Sequence, residues 1–164
     1  MNRRASGGEA LASEPELVSR DPATTAVVRG VVPMANLGDF FDASFGDLAR
    51  ITEEQHITLL GPAFGLYHGS PGDTVDLEVG FVTDRAVRPE GGVVAGSLPG
   101  GRVAKLTHAG SFDRLGDSWE RLGSWMRERG LPAGEDRWET YVTEPSPDMD
   151  PRDLRTELSW PVAD

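Results

Sequence analysis

The chain has no cysteine. Disulfides, thiolate metal sites and cysteine nucleophiles are thereby excluded, and a reducing compartment fits. Continuous apolar runs are also missing, and none approaches the roughly eighteen residues that would cross a bilayer. Residues 1–15 carry Arg3 and Arg4 with no apolar stretch behind them, so no secretory signal is read there. The expected location is cytoplasmic, with no membrane association. Basic residues are scarce: 16 Lys and Arg stand against 27 Asp and Glu, a net charge of −11. Direct nucleic-acid binding, which rests on cationic side chains displacing counterions, is not expected. The same field mildly attracts cationic small molecules or a basic protein surface. The chain contains no G-x-S-x-G, P-loop, G-x-G-x-x-G, H-E-x-x-H or EF-hand loop. His56, His68 and His108 lack metal-ligand spacing and read as structural or solvated, so neither a metal nor a cofactor is expected.

What the chain does have is a repeat. Leu37-Gly38-Asp39-Phe40-Phe41 returns 78 residues later as Leu115-Gly116-Asp117-Ser118-Trp119. Leu77-Glu78-Val79-Gly80-Phe81-Val82 returns as Thr156-Glu157-Leu158-Ser159-Trp160-Pro161-Val162, its glutamates 79 apart, and the turn prolines Pro22 and Pro99 are 77 apart. The two halves are one supersecondary unit used twice. Facing each other across a pseudo-twofold axis, they leave a groove between them suited to a ligand. At 164 residues the chain suits one compact domain built of two paired halves.

Residues 1–15, rich in Gly, Ser, Ala and Glu, read as a disordered tail. Residues 16–164 form the domain, with halves 16–82 and 93–162 joined by a linker at 83–92. Glu16 to Ser19 and Thr24 to Arg29 flank the turn-like Arg20-Asp21-Pro22-Ala23, which predicts a β-hairpin. Val93 to Ser97 and Arg102 to His108 flank Leu98-Pro99-Gly100-Gly101, which predicts a second hairpin, with Gly100 at the positive-φ position of a type II turn. Leu37, Phe40, Phe41, Phe45 and Leu48, and later Leu115, Trp119, Leu122 and Met126, keep helical steps. Asn36 is a candidate N-cap of the first helix, and Gly130 followed by Pro132 stops the second. Each helix precedes two strand candidates: Ala63 to His68 and Thr74 to Val82, then Trp138 to Thr143 and Leu154 to Val162. The order ββαββ, repeated, predicts an α+β fold, an antiparallel sheet with both helices on one face and a central groove.

Strand alternation places Glu157 and Glu78 at matching positions on the sheet face away from the helices. A plain solvated face meets the same pattern. Phe64, Tyr67, Trp138, Tyr141 and Trp160 cluster on strand segments, and a cleft with aromatic walls and a carboxylate at its base suits a planar, cationic ligand. Cation–π contacts there contribute about 0.5 to 2 kcal/mol each. A partly desolvated carboxylate in such a cleft also suits a general acid or base.

The run Gly101 to Leu115, continuing through Trp119, Leu122 and Trp125, resembles the second half of GyrI-like (gyrase-inhibitor-like) domains. Trp138-Glu139-Thr140-Tyr141 and Thr156 to Val162 do so too, and Gly61 to His68 and Val75 to Phe81 resemble the family's first half. The resemblance covers residues 16 to 162. It implies a tandem of strand-helix-strand-strand modules around a groove. It also implies kinship with effector-binding domains of AraC- and MerR-type multidrug regulators, with stand-alone proteins that sequester toxins or touch DNA gyrase, and with hydrolases that open the cyclopropane of DNA-alkylating natural products. By that resemblance the pocket glutamate lies on the final strand at Glu157, and Glu78, Phe64, Tyr67, Trp119, Trp138, Tyr141 and Trp160 are ligand contacts. The chain leaves no room for a helix-turn-helix and is expected to stand alone. Two readings follow. One is a receptor that sequesters aromatic or cationic small molecules, alone or with a protein partner such as gyrase; the other is a hydrolase in which Glu157 activates water and Tyr141 orients an electrophile.

Overall fold

Alternating apolar residues build eight strands and helical steps build two helices, in a computed structural model that describes residues 14–69, 72–143 and 149–163. The strands are β1 (Glu16–Arg20), β2 (Ala23–Pro33), β3 (Phe64–His68), β4 (Thr74–Val82), β5 (Val93–Leu98), β6 (Gly101–Ala109), β7 (Asp136–Tyr141) and β8 (Arg155–Pro161). Helix α1 (Leu37–Glu54) follows β2, and α2 (Leu115–Glu128) follows β6. Residues 1–13 of the expected tail lie outside the described residues. All strands join one antiparallel sheet in the order β1-β6-β8-β7-β3-β4-β2-β5. The order is the same from either end once β5-β2-β4-β3 is matched to β1-β6-β8-β7, which is the duplication seen in space.

Neither expected hairpin forms. β1 pairs with β6, from Glu16↔Lys105 to Arg20↔Gly101, and β5 pairs with β2, from Ala23↔Leu98 to Val28↔Val93. Because β2 and β6 are near-copies, an alternating lead strand fits either one, and the fold uses the distant copy. The exchange ties the halves together at both sheet ends. Its two turns cross where Pro22 meets Gly100: a Cβ on Gly100 would lie 2.6 Å from Pro22 Cδ and 2.8 Å from its backbone nitrogen. The glycine at 100 is thus required by close approach. The positive φ of this turn falls one residue later than expected, at Gly101 (φ 101°).

The strand register carries one face across the sheet through Val79, Gly65, Glu139, Leu158 and Leu106, and the other through Gly80, Phe64, Thr140, Glu157 and Thr107. Both helices cover the first face. α1 packs Leu48 and Ile51 on Val75, Leu77 and Val79, while α2 packs Leu122 and Met126 on Ala104, Leu106 and Leu158. Asn36 stands at the N-cap of α1 without a side-chain capping bond, the chain entering through a 3-10 turn at Met34–Asn36. Past α2, Gly130 takes φ 69° and Leu131 N–H donates to the Met126 carbonyl at 2.9 Å, closing the helix as expected. The second face is not simply solvated. The sheet curls and gathers Val27, Phe64, Leu66, Leu98, Val103 and Trp138 into a core of their own, each large side chain contributing about 1.5 to 3 kcal/mol by burial.

Gly100→Ala forces Pro22 away from the turn crossing and is expected to cost about 1 to 3 kcal/mol. Urea unfolding checks this, with the midpoint falling and the slope unchanged.

Candidate functional site

The pseudo-twofold axis passes between Gly65 on β3 and Glu139 on β7, which face each other in the sheet register. Around them the halves match closely: Phe64-Gly65-Leu66-Tyr67 is repeated as Trp138-Glu139-Thr140-Tyr141. Tyr67 and Tyr141 are equivalents, and so are Phe41 of α1 and Trp119 of α2. The symmetry breaks on the axis itself. One copy carries a carboxylate, and the other carries no side chain at all.

Glu139 is 7 % exposed. Its Oε1 accepts from Tyr141 Oη at 2.9 Å and from Tyr67 Oη at 3.3 Å, and its Oε2 accepts from Trp119 Nε1 at 2.9 Å. All three donors are neutral. Among the described residues no cationic group lies within ion-pair distance of this carboxylate. Burial, reinforced by the charge of Glu139, raises both phenol pKa values above the ordinary tyrosine range, so both hydroxyls stay protonated donors near neutrality. A carboxylate has about four acceptor positions, of which these bonds use three. Gly65 makes the arrangement possible, since a Cβ there would lie 3.0 Å from Tyr141 Oη and 3.3 Å from Phe41 Cζ.

Rings surround Tyr141 and Trp119, two of the donors that hold the carboxylate. Phe41 and Phe112 both meet Tyr141 edge-on, with centroids 5.9 and 6.1 Å apart, and Phe45 lies 5.8 Å from Phe41. Phe112 is 40 % exposed. On the α2 side Trp119 meets Trp160 edge-on at 5.6 Å, and Arg137 Cζ lies 5.1 and 4.7 Å from their ring centroids. Burial lowers the Arg137 pKa, opposed by the Glu139 charge.

Of the residues read from the sequence, Tyr67, Tyr141, Trp119 and Trp160 are brought together on the helix face. Glu157, Glu78, Phe64 and Trp138 are not. Glu157 lies on the face away from the helices, as alternation predicts, where its side chain is 32 % exposed and pairs with Lys105 Nζ at 3.1 Å, whereas the carboxylate among the rings of the helix face is Glu139. Glu78 is held there by His68 Nε2 at 2.7 Å and Arg29 Nε at 3.6 Å. Phe64 and Trp138, each 1 % exposed, belong to the curled core, with Arg20 over the Trp138 ring. Glu139, Phe41, Phe45, Phe112 and Arg137 were not read from the sequence as site residues. The signal was the Phe-Gly-Leu-Tyr and Trp-Glu-Thr-Tyr pair, whose members are 74 residues apart rather than 78, the intervening loop differing in length. His68 and His108 are structural: His68 bridges Glu78 and Asp136, and His108 bonds Ser118 Oγ and the Ser111 carbonyl. Among the described residues no group of acidic or histidine side chains is arranged to hold a metal, and no helix is long and apolar enough to cross a membrane.

A family model described as the GyrI-like small molecule binding domain matches residues 13–163. The chain belongs to this family. The C-terminal domain of EcmrR shares the fold at a TM-score of 0.80 and 18% identity, over 92% of this chain and 97% of that one. EcmrR in its complex with DNA matches at 0.81 and 19% identity over 94% of this chain, which spans 58% of that longer protein. A hydrolase from Listeria innocua matches at 0.65 and 12% identity, covering 92% of each chain. SAV2435, solved bound to tetraphenylphosphonium, matches at 0.65 and 13% identity, covering 92% of this chain and 94% of its own. Among curated proteins none matches by sequence.

Gly65→Ala pushes the Tyr141 hydroxyl off Glu139, an expected loss of about 1 kcal/mol in stability. In a Tyr141→Phe background most of that loss should vanish, which a double-mutant cycle reads directly. On the opposite face, partial burial works to lower the His68 pKa, but the Glu78 and Asp136 contacts outweigh it and leave it raised. The stabilisation from His68 is therefore complete below its unfolded pKa of 6.5 and disappears as pH climbs through the folded value. The Tm difference between the native chain and His68→Gln should be largest below pH 6.5 and should shrink as the pH rises above it.

Proposed function

We propose that this GyrI-like domain binds aromatic or lipophilic cations in the groove between α1 and α2 and acts by sequestering them. One observation carries the reading: a buried carboxylate, Glu139, is fixed by three neutral donors and among the described residues has no ion-pair partner, the nearby Arg137 being stacked on the Trp119 and Trp160 rings instead. Burying a carboxylate in this way is costly. A lipophilic cation supplies the missing charge while its rings pack on Phe41, Trp119, Tyr141 and Phe112. The neutral donors hold Glu139 in place without cancelling its charge, so selectivity is for charge and flatness rather than for one molecular outline. Such a site suits chemically diverse ligands, and it needs neither gyrase nor another protein to hold them. The tetraphenylphosphonium complex of SAV2435, a protein of the same fold, supports this ligand class.

A hydrolase using the same groove has the adjoining Tyr141 and Glu139 in its favour, a potential acid beside a potential base. Yet both Glu139 oxygens already accept hydrogen bonds, which suits a fixed counter-charge better than a base that must take a proton from water. Fluorescence titration with tetraphenylphosphonium tests the reading, with Trp119 as reporter. Glu139→Gln, which keeps an acceptor and removes the charge, is expected to weaken binding by about 10- to 100-fold, or ~1.4 to 2.8 kcal/mol. Glu157→Gln should leave binding unchanged, and the ligand should be recovered intact. Equal affinity in Glu139→Gln, or a hydrolysed electrophile, would overturn the proposal.

A further inference from the structure

The duplication leaves a second vacancy, next to Glu139 on the same face of the sheet. In the first half Phe45 of α1 packs edge-on against Phe81 of β4 at 5.7 Å. Their equivalents in the second half are Gly123 of α2 and Trp160 of β8. With no side chain at 123, the place that Phe45 fills becomes a half-open depression of about 560 Å³, bordered by Trp119, Gly123, Arg127, Arg137 and Trp160, with Gly116 at its end. A Cβ at Gly123 would meet Trp160 Cζ3 at 3.4 Å and Arg127 Nη1 at 3.6 Å, and one at Gly116 would meet nothing within 4 Å. Ordinary side chains would fit at both positions, so the room is not enforced by close backbone packing.

The charge in this depression is cationic. Arg137 is half-buried, its guanidinium stacked on the Trp119 and Trp160 rings, and among the described residues it has neither a hydrogen-bond acceptor nor an ion-pair partner. Arg127 uses Nη2 on Ser124 Oγ at 2.9 Å, and its Nη1 lies beside Gly123. The exposed Glu120 stands at the rim. A half-buried guanidinium with free donors, beside a second one and two indole rings, recognises a flat molecule that bears a carboxylate or sulfonate.

We infer that the depression between α2 and the Trp160 end of β8 is a binding site for aromatic anions that adjoins the cation groove, the two meeting at Trp119 and Arg137. The oxyanion bonds Arg137 and Arg127 in a bidentate manner, and the ring system lies against Trp160 in the space that Phe45 fills in the other half.

Calorimetric titration with 2-naphthalenesulfonate tests this, using the full chain. The native protein should bind it with one-to-one stoichiometry, and naphthalene without the sulfonate should bind at least tenfold more weakly. Arg137→Gln should weaken the sulfonate at least tenfold. Gly123→Leu, which rebuilds the filled plan of the first half, should abolish its binding. Because Gly123 is buried, Gly116→Leu provides an independent block from the open end, and the Tm of each variant establishes that it folds. Tetraphenylphosphonium should bind Gly116→Leu as it binds the native chain and should not displace the sulfonate. No binding to the native chain, undiminished binding to Arg137→Gln or to a folded Gly116→Leu, or competition between the two ligands would each overturn the inference.

Discussion

The structure depends on one carboxylate at a place of near-symmetry. At a pseudo-twofold axis each half presents the same strand position to the other, so a glutamate repeated in both copies would set two buried negative charges face to face, a costly arrangement. Here the pair is Glu139 and Gly65. The absent side chain leaves room for the Tyr141 hydroxyl, which bonds Glu139 from the same strand, while Tyr67, its counterpart, reaches the same oxygen across the axis from β3. Duplication supplies two phenols, and asymmetry supplies one acceptor for both.

That carboxylate is held only as well as the halves are held to each other. The exchanged lead strands do this at the ends of the sheet, β1 lying on β6 and β5 on β2, and the central β3 and β7 pair does it on the axis. The curl that follows buries Phe64 and Trp138 behind the site, one residue before Gly65 and Glu139 on their respective strands. Packing on one face therefore fixes the side chains that act on the other. A polar cluster stays rigid when its strands are anchored from behind, and rigidity lets neutral donors orient a charge without a partner ion.

Much of this was legible in the residues themselves. Helical steps marked α1 and α2, alternation marked most of the strands, and the repeated Leu-Gly-Asp and glutamate-bearing segments disclosed the duplication. Alternation also placed Glu157 and Glu78 on the face away from the helices. What it did not disclose was that this face is a second core with paired charges at its margins, because solvent and a curled sheet impose the same period. Strand exchange was equally hidden: β1 complements β2 and β6 alike, and only three-dimensional closure at Pro22 and Gly100 distinguishes them. The glutamate of the groove was written in Trp138-Glu139-Thr140-Tyr141, within a segment that already resembled the family. Its partner motif sits four residues out of step with the other repeats, and the significant residue in that partner is a glycine, which reads as an absence.

In the proposed function Glu139 is the fixed counter-charge for a bound lipophilic cation. A crystal structure of the protein with tetraphenylphosphonium tests it most directly. The account predicts the phosphonium seated over Glu139, with phenyl rings on Phe41, Trp119 and Tyr141 and the three donors to the carboxylate retained. A cation lodged instead beside Glu157 on the opposite face, or Glu139 turned away to pair with Arg137, would contradict it.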